Sequence, residues 1–260
     1  MYDEMLNKNG LKPRKIYDEL FSWLNNQNSS TLLNQSNKAE ELFRRVGITF
    51  NVYGENEAEE RLIPFDIVPR IIEKKEWSFV KKGIEQRLLA INMFLKDVYF
   101  DQKIIKEGII PSELINNNYA FKPQMCGFKP PGGIYVHVSG IDLIRTSKNS
   151  FYVLEDNLRV PSGASYMIEN RSTMMHMFPE LFTNYNVKNV YDYPDLLLKS
   201  LIKCSSNLLH NPNIAVLTPG IFNSAYFEHS FLADEMGVNL LEWKDLIIEN
   251  NKVVIKTTKG

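Results

Sequence analysis

Gly140-Ile-Asp-Leu-Ile-Arg-Thr-Ser-Lys-Asn-Ser-Phe-Tyr-Val-Leu-Glu-Asp-Asn-Leu-Arg-Val-Pro-Ser-Gly163 is the stretch on which the reading of the fold depends. Two runs, Ile141 to Arg145 and Phe151 to Glu155, flank the polar segment Thr146-Ser147-Lys148-Asn149-Ser150, so the pattern predicts an antiparallel hairpin joined by a five-residue turn. Asp142 then lies near the far end of one strand, and Glu155 near the matching end of its partner. Glu155 and Asn157 are two residues apart, so on a strand their side chains share a face and Asp142 can approach both across the ladder. Oxygen ligands gathered in this way repel one another unless a cation sits among them. A set with few protein ligands suits Mg²⁺, which keeps waters and shares substrate phosphates. A hairpin ending in a polar, solvated turn accounts for the same three residues. Arg159 and the turn Pro161-Ser162-Gly163 extend the pattern, because an arginine and exposed backbone donors beside carboxylates form an anion-handling surface.

Upstream, Ile134 to Val138 alternates as a further strand after the loop Pro130-Pro131-Gly132-Gly133. The earlier chain reads as mainly helical. Ile16, Leu20, Trp23 and Leu24 share one face, and Ser29-Ser30 can cap a second helix that stops at Gly47. Ile48 to Tyr53 alternates as a strand, and Pro64 and Pro69 interrupt the chain. Ser78 is a candidate N-cap for the longest helix, with an apolar seam through Ile84, Leu88, Ile91, Leu95 and Val98.

Downstream, a helix is expected from about Tyr166 to Phe178. Ile214 to Leu217, the turn Thr218-Pro219-Gly220, a helix over Ser224 to Met236 and a strand over Val238 to Leu241 spell a β-turn-α-β unit and hence a small parallel sheet. Val253 to Thr257 reads as one more strand. The whole is an α/β protein in three segments: 1–130, mainly helical; 131–210, with the hairpin and following helices; and 211–260, a Rossmann-like unit.

Bulk properties narrow the function. The 260 residues are 44% hydrophobic and 23% charged, which argues for a folded globule. Lysine and arginine number 30 against 31 acidic residues, leaving no electrostatic footprint for nucleic acid or an anionic membrane. No run approaches the ~20 apolar residues of a membrane span. The acidic N-terminus is unlike a secretory signal, and Cys126 and Cys204 read as buried, reduced thiols, so a cytoplasmic location is expected.

Asp142 followed thirteen residues later by Glu155-x-Asn157 resembles the metal-binding end of ATP-grasp ligases. More specifically, Val-Leu-Glu-Asp-Asn-Leu-Arg-Val-Pro-Ser-Gly-Ala-Ser-Tyr-Met-Ile-Glu-Asn-Arg (153–171) resembles the signature of the circularly permuted ATP-grasp type 2 family, related to glutathionylspermidine synthase. The similarity extends through Gly47-Ile-Thr-Phe, Arg61-Leu-Ile-Pro-Phe-Asp-Ile-Val-Pro-Arg70, Gln86-Arg87 and Leu217-Thr-Pro-Gly-Ile-Phe-Asn-Ser-Ala-Tyr-Phe-Glu-His229.

The resemblance implies an ATP- and Mg²⁺-dependent ligase, with Mn²⁺ as a substitute metal. Asp142 would bind one ion, Glu155 would bridge two and Asn157 would hold the second, so Glu155, Asn157 and Arg159 together would handle the nucleotide phosphates. A carboxylate would attack the γ-phosphorus, and an amine would then displace phosphate from the acyl phosphate. Arg159 would contact the transferring group, and Ser162, Gly163, Arg171, Asn223 and His229 the substrates. Many ATP-grasp ligases carry an arginine two residues before the first metal aspartate. Gly140 stands there in this chain, which leaves Arg145, Arg159 or Arg171 to replace it. The resemblance also implies that the phosphate-clamping lysines lie beyond Gly260, in a C-terminal half or a second chain, so that this portion alone is inactive. A non-catalytic scaffold or partner subunit is the alternative.

Other residues have plainer readings. His137 reads as a sheet or cleft residue, His176 as core among Met174, Met175 and Met177, and Arg70 and Arg87 as solvated or salt-bridged. The loop over 158–165 is expected to move when no ligand is bound.

Overall fold

A computed structural model describes residues 2–7, 10, 12–53, 58–205 and 212–257, and within them helices alternate with two-stranded sheets. Helices α1 (Asp18–Asn25) and α2 (Ser29–Val46) precede the strand pair β1 (Thr49–Tyr53) and β2 (Ala58–Leu62). The long α3 (Lys74–Tyr99) and the short α4 (Lys103–Lys106) and α5 (Ser112–Asn116) lead to the hairpin of β3 (Gly140–Ser147) and β4 (Ser150–Asn157). Helices α6 (Ala164–Met177), α7 (Pro179–Asn184) and α8 (Tyr193–Cys204) follow. The chain then runs through β5 (Ala215–Leu217), α9 (Tyr226–Met236), β6 (Asn239–Leu241), β7 (Leu246–Glu249) and β8 (Lys252–Ile255). Pairs β1–β2, β3–β4 and β7–β8 are antiparallel, and β5–β6 is parallel. This is an α/β protein. Val253 belongs to β8, whose partner β7 the sequence pattern had not suggested.

Local chemistry sets the helix ends. The Asn28 side chain, and not that of Ser29 or Ser30, accepts the Thr31 amide at the head of α2, and Gly47 closes that helix at φ 75°. Helix α3 starts earlier than expected, at a reciprocal capping box between Glu73 and Glu76. Ser78 therefore lies inside the helix, where its hydroxyl donates to the Lys74 carbonyl. The expected strand over Ile134 to Val138 is absent. The amides of Tyr135 and Val136 donate instead to Asn92 Oδ1, at 2.8 and 3.2 Å, so a side chain on α3 takes the place of a strand partner.

The chain divides into two compact units, one centred on Ile72–Pro161, the other joining Asp3–Ile71 to Ser162–Ile202 and the β5–β8 segment. Residues 130 and 131 both lie within the first. In that unit α3 covers one face of the β3–β4 hairpin, with Val80 and Val98 buried.

The second unit holds the main apolar core, Tyr17, Leu20, Ala39, Ile67, Met174, Phe178 and Leu181. Trp23 meets Phe178 edge to face at 5.2 Å. Two tyrosine hydroxyls tie loops to this core: Tyr17 accepts the Ile71 amide at 2.8 Å, and Tyr185 accepts the Leu20 amide and donates to the Ile16 carbonyl. Met174 is buried as expected, but His176 is exposed. It lies two positions after Met174, about 200° around a helix of this pitch, so it points away from the core. The cysteines expected to be buried are not: Cys126 is exposed and Cys204 half-buried.

Candidate metal and phosphate site

Ser147 pairs with Ser150 across a two-residue turn, Lys148-Asn149, tighter than the five-residue connection expected. The ladder is irregular between Arg145 and Ser147 and again between Asp142 and Leu143. Thr146 on β3 and Leu154 on β4 are left without partners, so the register slips by one residue and then slips back. Beyond Leu154, Asp142 pairs with Glu155, Ile141 with Asp156 and Gly140 with Asn157.

This bulge decides which side chains face together. Strict alternation from Phe151 and Val153 would put Glu155 and Asn157 on the face covered by α3. The extra residue turns them to the opposite face, with Asp142, Ile144 and Tyr152. That face is open, with Tyr152 60% and Leu154 67% exposed. Asp156 turns the other way and meets Arg87 of α3 in a two-pronged ion pair, Nε to Oδ1 at 2.7 Å and a terminal nitrogen to Oδ2 at 2.5 Å. The hydrogen bond from Arg87 holds the Asp156 carboxyl below the usual carboxylate range. Arg87 is thus a salt-bridged residue.

Asp142 has no hydrogen bond or ion pair among the described residues, and it stands directly across from a second carboxylate. Like charges so placed repel. Asn157 Nδ2 donates to Glu155 Oε1 at 3.2 Å, which steadies Glu155 and leaves the Asn157 carbonyl oxygen as a further ligand atom. Among the described residues no three His, Cys, Asp or Glu side chains gather to hold a metal by themselves. Two carboxylates and one amide oxygen make a sparse, all-oxygen set. It fits a hard divalent cation that completes its shell with water and phosphate oxygens.

Gly140 has a steric reason. A Cβ there would lie 3.1 Å from Pro161 Cβ and 3.6 Å from Asn157 Cβ, so an arginine requires Pro161 to shift. The three replacement candidates differ in what they touch. Arg145 is buried, paired with Glu76 and bonded to the Ser147 and Lys148 carbonyls, with Tyr2 and Phe151 against its guanidinium. Arg171 donates to the Lys188 carbonyl at 2.7 Å. Arg159 is exposed and makes no ion pair among the described residues.

In the second unit, Ser162 is exposed and Gly163 stands at φ 108° at the head of α6. The Gly163 amide already has a partner. It donates to the Glu228 carboxylate at 2.8–2.9 Å, and the Ser165 amide and hydroxyl donate to the same group at 3.0 and 2.6 Å. The loop expected to move over 158–165 is therefore fastened at 163 and 165. Asn223 Oδ1 accepts the Ala225 amide at the start of α9, so this candidate substrate residue also has a structural bond. His229 Nδ1 lies 3.0 Å from the Thr218 hydroxyl, which also accepts the Gly220 amide. Burial pushes the His229 pKa down, opposed by the charge of Glu228. His137 is exposed, and Arg70 pairs with Glu4 at 2.6 Å.

Sequence reasoning passed over Asp156 and Glu228. Asp156 carried no readable signal: alternation sets it on the opposite face from Glu155, but only the bulge decides that its face is the one covered by α3. Glu228 did carry one: it stands beside His229 within the stretch that resembles the family, on a helix otherwise rich in apolar residues.

Residues 69–260 match the family model described as a circularly permuted ATP-grasp. The chain is 42% identical over its whole length to an uncharacterized protein of Synechocystis sp., of which it covers 54%. It is 43% identical to an uncharacterized protein of Mycobacterium tuberculosis, covering 46% of it. A Frankia alni protein named "Putative glutamate–cysteine ligase 2-3" is 36% identical over 96% of this chain and 29% of its own length. The chain thus spans about half the length of the first two relatives. Among the described residues no helix is long and apolar enough to cross a membrane. On the family match, which covers most of its length and includes the β3–β4 hairpin and the loop that follows, the chain belongs to the circularly permuted ATP-grasp family.

Proposed function

We propose that this chain supplies the metal and phosphate end of an ATP-dependent carboxylate–amine ligase. Asp142, Glu155 and Asn157 would hold Mg²⁺ or Mn²⁺. The ion would supply charge neutralisation at the β- and γ-phosphates of ATP. Arg159 contacts the transferring phosphoryl group or the acyl phosphate, a role supported by its exposure and its lack of an ion pair. In the reaction a carboxylate oxygen bonds to the γ-phosphorus as the bond to ADP breaks. The amine then bonds to the acyl carbon, and phosphate leaves.

The observation that carries this reading is the pairing of Asp142 with Glu155 on an open sheet face, with Asn157 bonded to Glu155. Like charges are set opposite each other there, and nothing in the described chain neutralises them. The ligase name of the Frankia relative supports the reaction class. Ser162, Arg171, Asn223 and His229 are the proposed substrate contacts, with Gly163, its amide held by Glu228, fixing the place of Ser162. The parallel β5–α9–β6 arrangement supports a Rossmann-like role for 211–260. Carboxylate and amine small molecules or peptides are the proposed substrates, in the cytoplasm, with neither nucleic acid nor membrane as a partner. Further polypeptide completes the nucleotide pocket. The exposed Ile144, Tyr152 and Leu154 beside the metal ligands support this, as does the greater length of the relatives.

Phosphate release from ATP tests the proposal, with a panel of carboxylates and amines. The preparations are the chain alone, the chain extended by the remaining segment of a relative, and Glu155→Gln in each. Substrate-dependent release by the extended form, lost in Glu155→Gln, is expected, with the chain alone inactive. Binding without turnover in every form would favour a scaffold or partner-subunit role instead.

A further inference from the structure

We infer that Glu228 is a positioning residue for the Ser162–Gly163 loop, an assignment that rests on the reading of that loop as a substrate contact. Glu228 sits in α9 and is 5% exposed, yet among the described residues no lysine or arginine pairs with it. A buried carboxylate without a cation is costly unless its oxygens are well supplied with donors. All of its described hydrogen bonds come from one turn, through the Gly163 amide, the Ser165 amide and the Ser165 hydroxyl.

The local backbone explains why the bond must come from so far along the chain. Gly163 occupies the N-cap position of α6 at φ 108° and ψ −6°, a region that strongly favours glycine. Glycine has no side chain with which to cap, so the first amides of α6 need an acceptor from elsewhere. Glu228 supplies it from 65 residues downstream, and its negative charge suits the positive end of the helix.

The arrangement sorts the two serines of the signature. The Ser165 side chain is fully buried and its hydroxyl is committed to Glu228. Ser162 is exposed, with no hydrogen bond among the described residues, and it immediately precedes the fastened glycine. Glu228 therefore fixes the point from which Ser162 is presented. Tyr166, on the same turn of α6, stacks against Phe227 at 5.4 Å, so an apolar contact beside the carboxylate keeps α6 and α9 together when the polar bonds are altered.

The test compares wild type with Glu228→Ala and Glu228→Gln in two measurements. The first is amide hydrogen exchange. Loss of the carboxylate in Glu228→Ala should speed exchange at 163–165 at least about tenfold while the rest of α6 and α9 keeps its protection. The second is steady-state phosphate release by the extended form described above. There Glu228→Gln should raise KM for the carboxylate substrate about tenfold, with kcat and the KM for ATP little changed. Unchanged exchange at 163–165 in Glu228→Ala would overturn the assignment. So would a uniform loss of protection along both helices, which describes a purely structural residue, or a fall in kcat with KM untouched, which describes an interaction made only in the transition state and not the placing of a bound substrate. If wild type releases no phosphate, the ligase reading fails, and the exchange pattern alone then decides whether Glu228 fixes the loop.

Discussion

Asp142 and Glu155 stand opposite each other on β3 and β4, with Leu154 unpaired beside them. Alternation along β4 would turn Glu155 to the covered face. The bulge instead exchanges the faces of two adjacent carboxylates, sending Glu155 to the open side and Asp156 to Arg87.

That division predicts opposite phenotypes for neighbouring residues. Asp156→Asn should slightly lower the melting temperature yet leave the rise induced by millimolar Mg²⁺ intact. Glu155→Gln should abolish that rise with little effect on the metal-free protein. Thermal melts with and without metal check this, and loss of the metal response in Asp156→Asn alone would mean that the faces are assigned wrongly.

The same ion pair gives a pH dependence of known sign. Asp156 titrates below its ordinary value of 3.8 because Arg87 hydrogen-bonds its charged form. Its contribution to stability is full above that value and disappears as pH falls through the lowered folded value. Urea denaturation in steps below pH 4 should therefore show a shallower acid loss in Asp156→Asn than in wild type.

His229 acts in a different window. Its folded pKa is pushed below 6.5, chiefly by burial, so the unfolded chain takes up the proton first. Stability should fall as pH drops from 6.5 toward the folded value and change no further through this residue below it. His229→Gln should flatten the denaturation midpoint over this range, and an unchanged slope would place the titration elsewhere.

The main apolar core can be probed at Phe178, which is buried against Trp23 and between α6 and α7. Phe178→Ala should cost about 3–5 kcal/mol, through lost burial and the cavity left behind. Urea unfolding followed by tryptophan fluorescence measures it. A loss under about 1 kcal/mol would mean that the site collapses around the smaller residue.

Much of the architecture was legible because it depends on local patterns. The Gly47 and Gly237 helix stops, the seam of α3, the hairpin and the parallel pairing of β5 with β6 all follow from spacing and turn chemistry. The missed features depend on contacts between distant segments. Asn92 replaces a strand partner for Tyr135 and Val136, and Glu228 caps a helix that begins at residue 164. The two hairpin bulges belong to the same class, since a ladder irregularity has no local signature when no glycine marks it. Asp142, Glu155 and Asn157 were identified as neighbours although the tight turn and the shifted registers were not foreseen, because the two slips cancel.

Asp142, Glu155 and Asn157 are proposed to form a divalent-cation site, on which the other roles assigned in the ligase reading depend. Electron paramagnetic resonance of Mn²⁺ measures this directly, since the sharp signal of the free ion is lost on binding. Wild type should deplete free Mn²⁺ with a dissociation constant on the order of 10⁻⁴–10⁻³ M, as expected for a sparse oxygen set. Asp142→Ala combined with Glu155→Ala should leave the free signal undiminished in a protein that melts normally. Equal Mn²⁺ binding by the double variant and wild type would contradict the account.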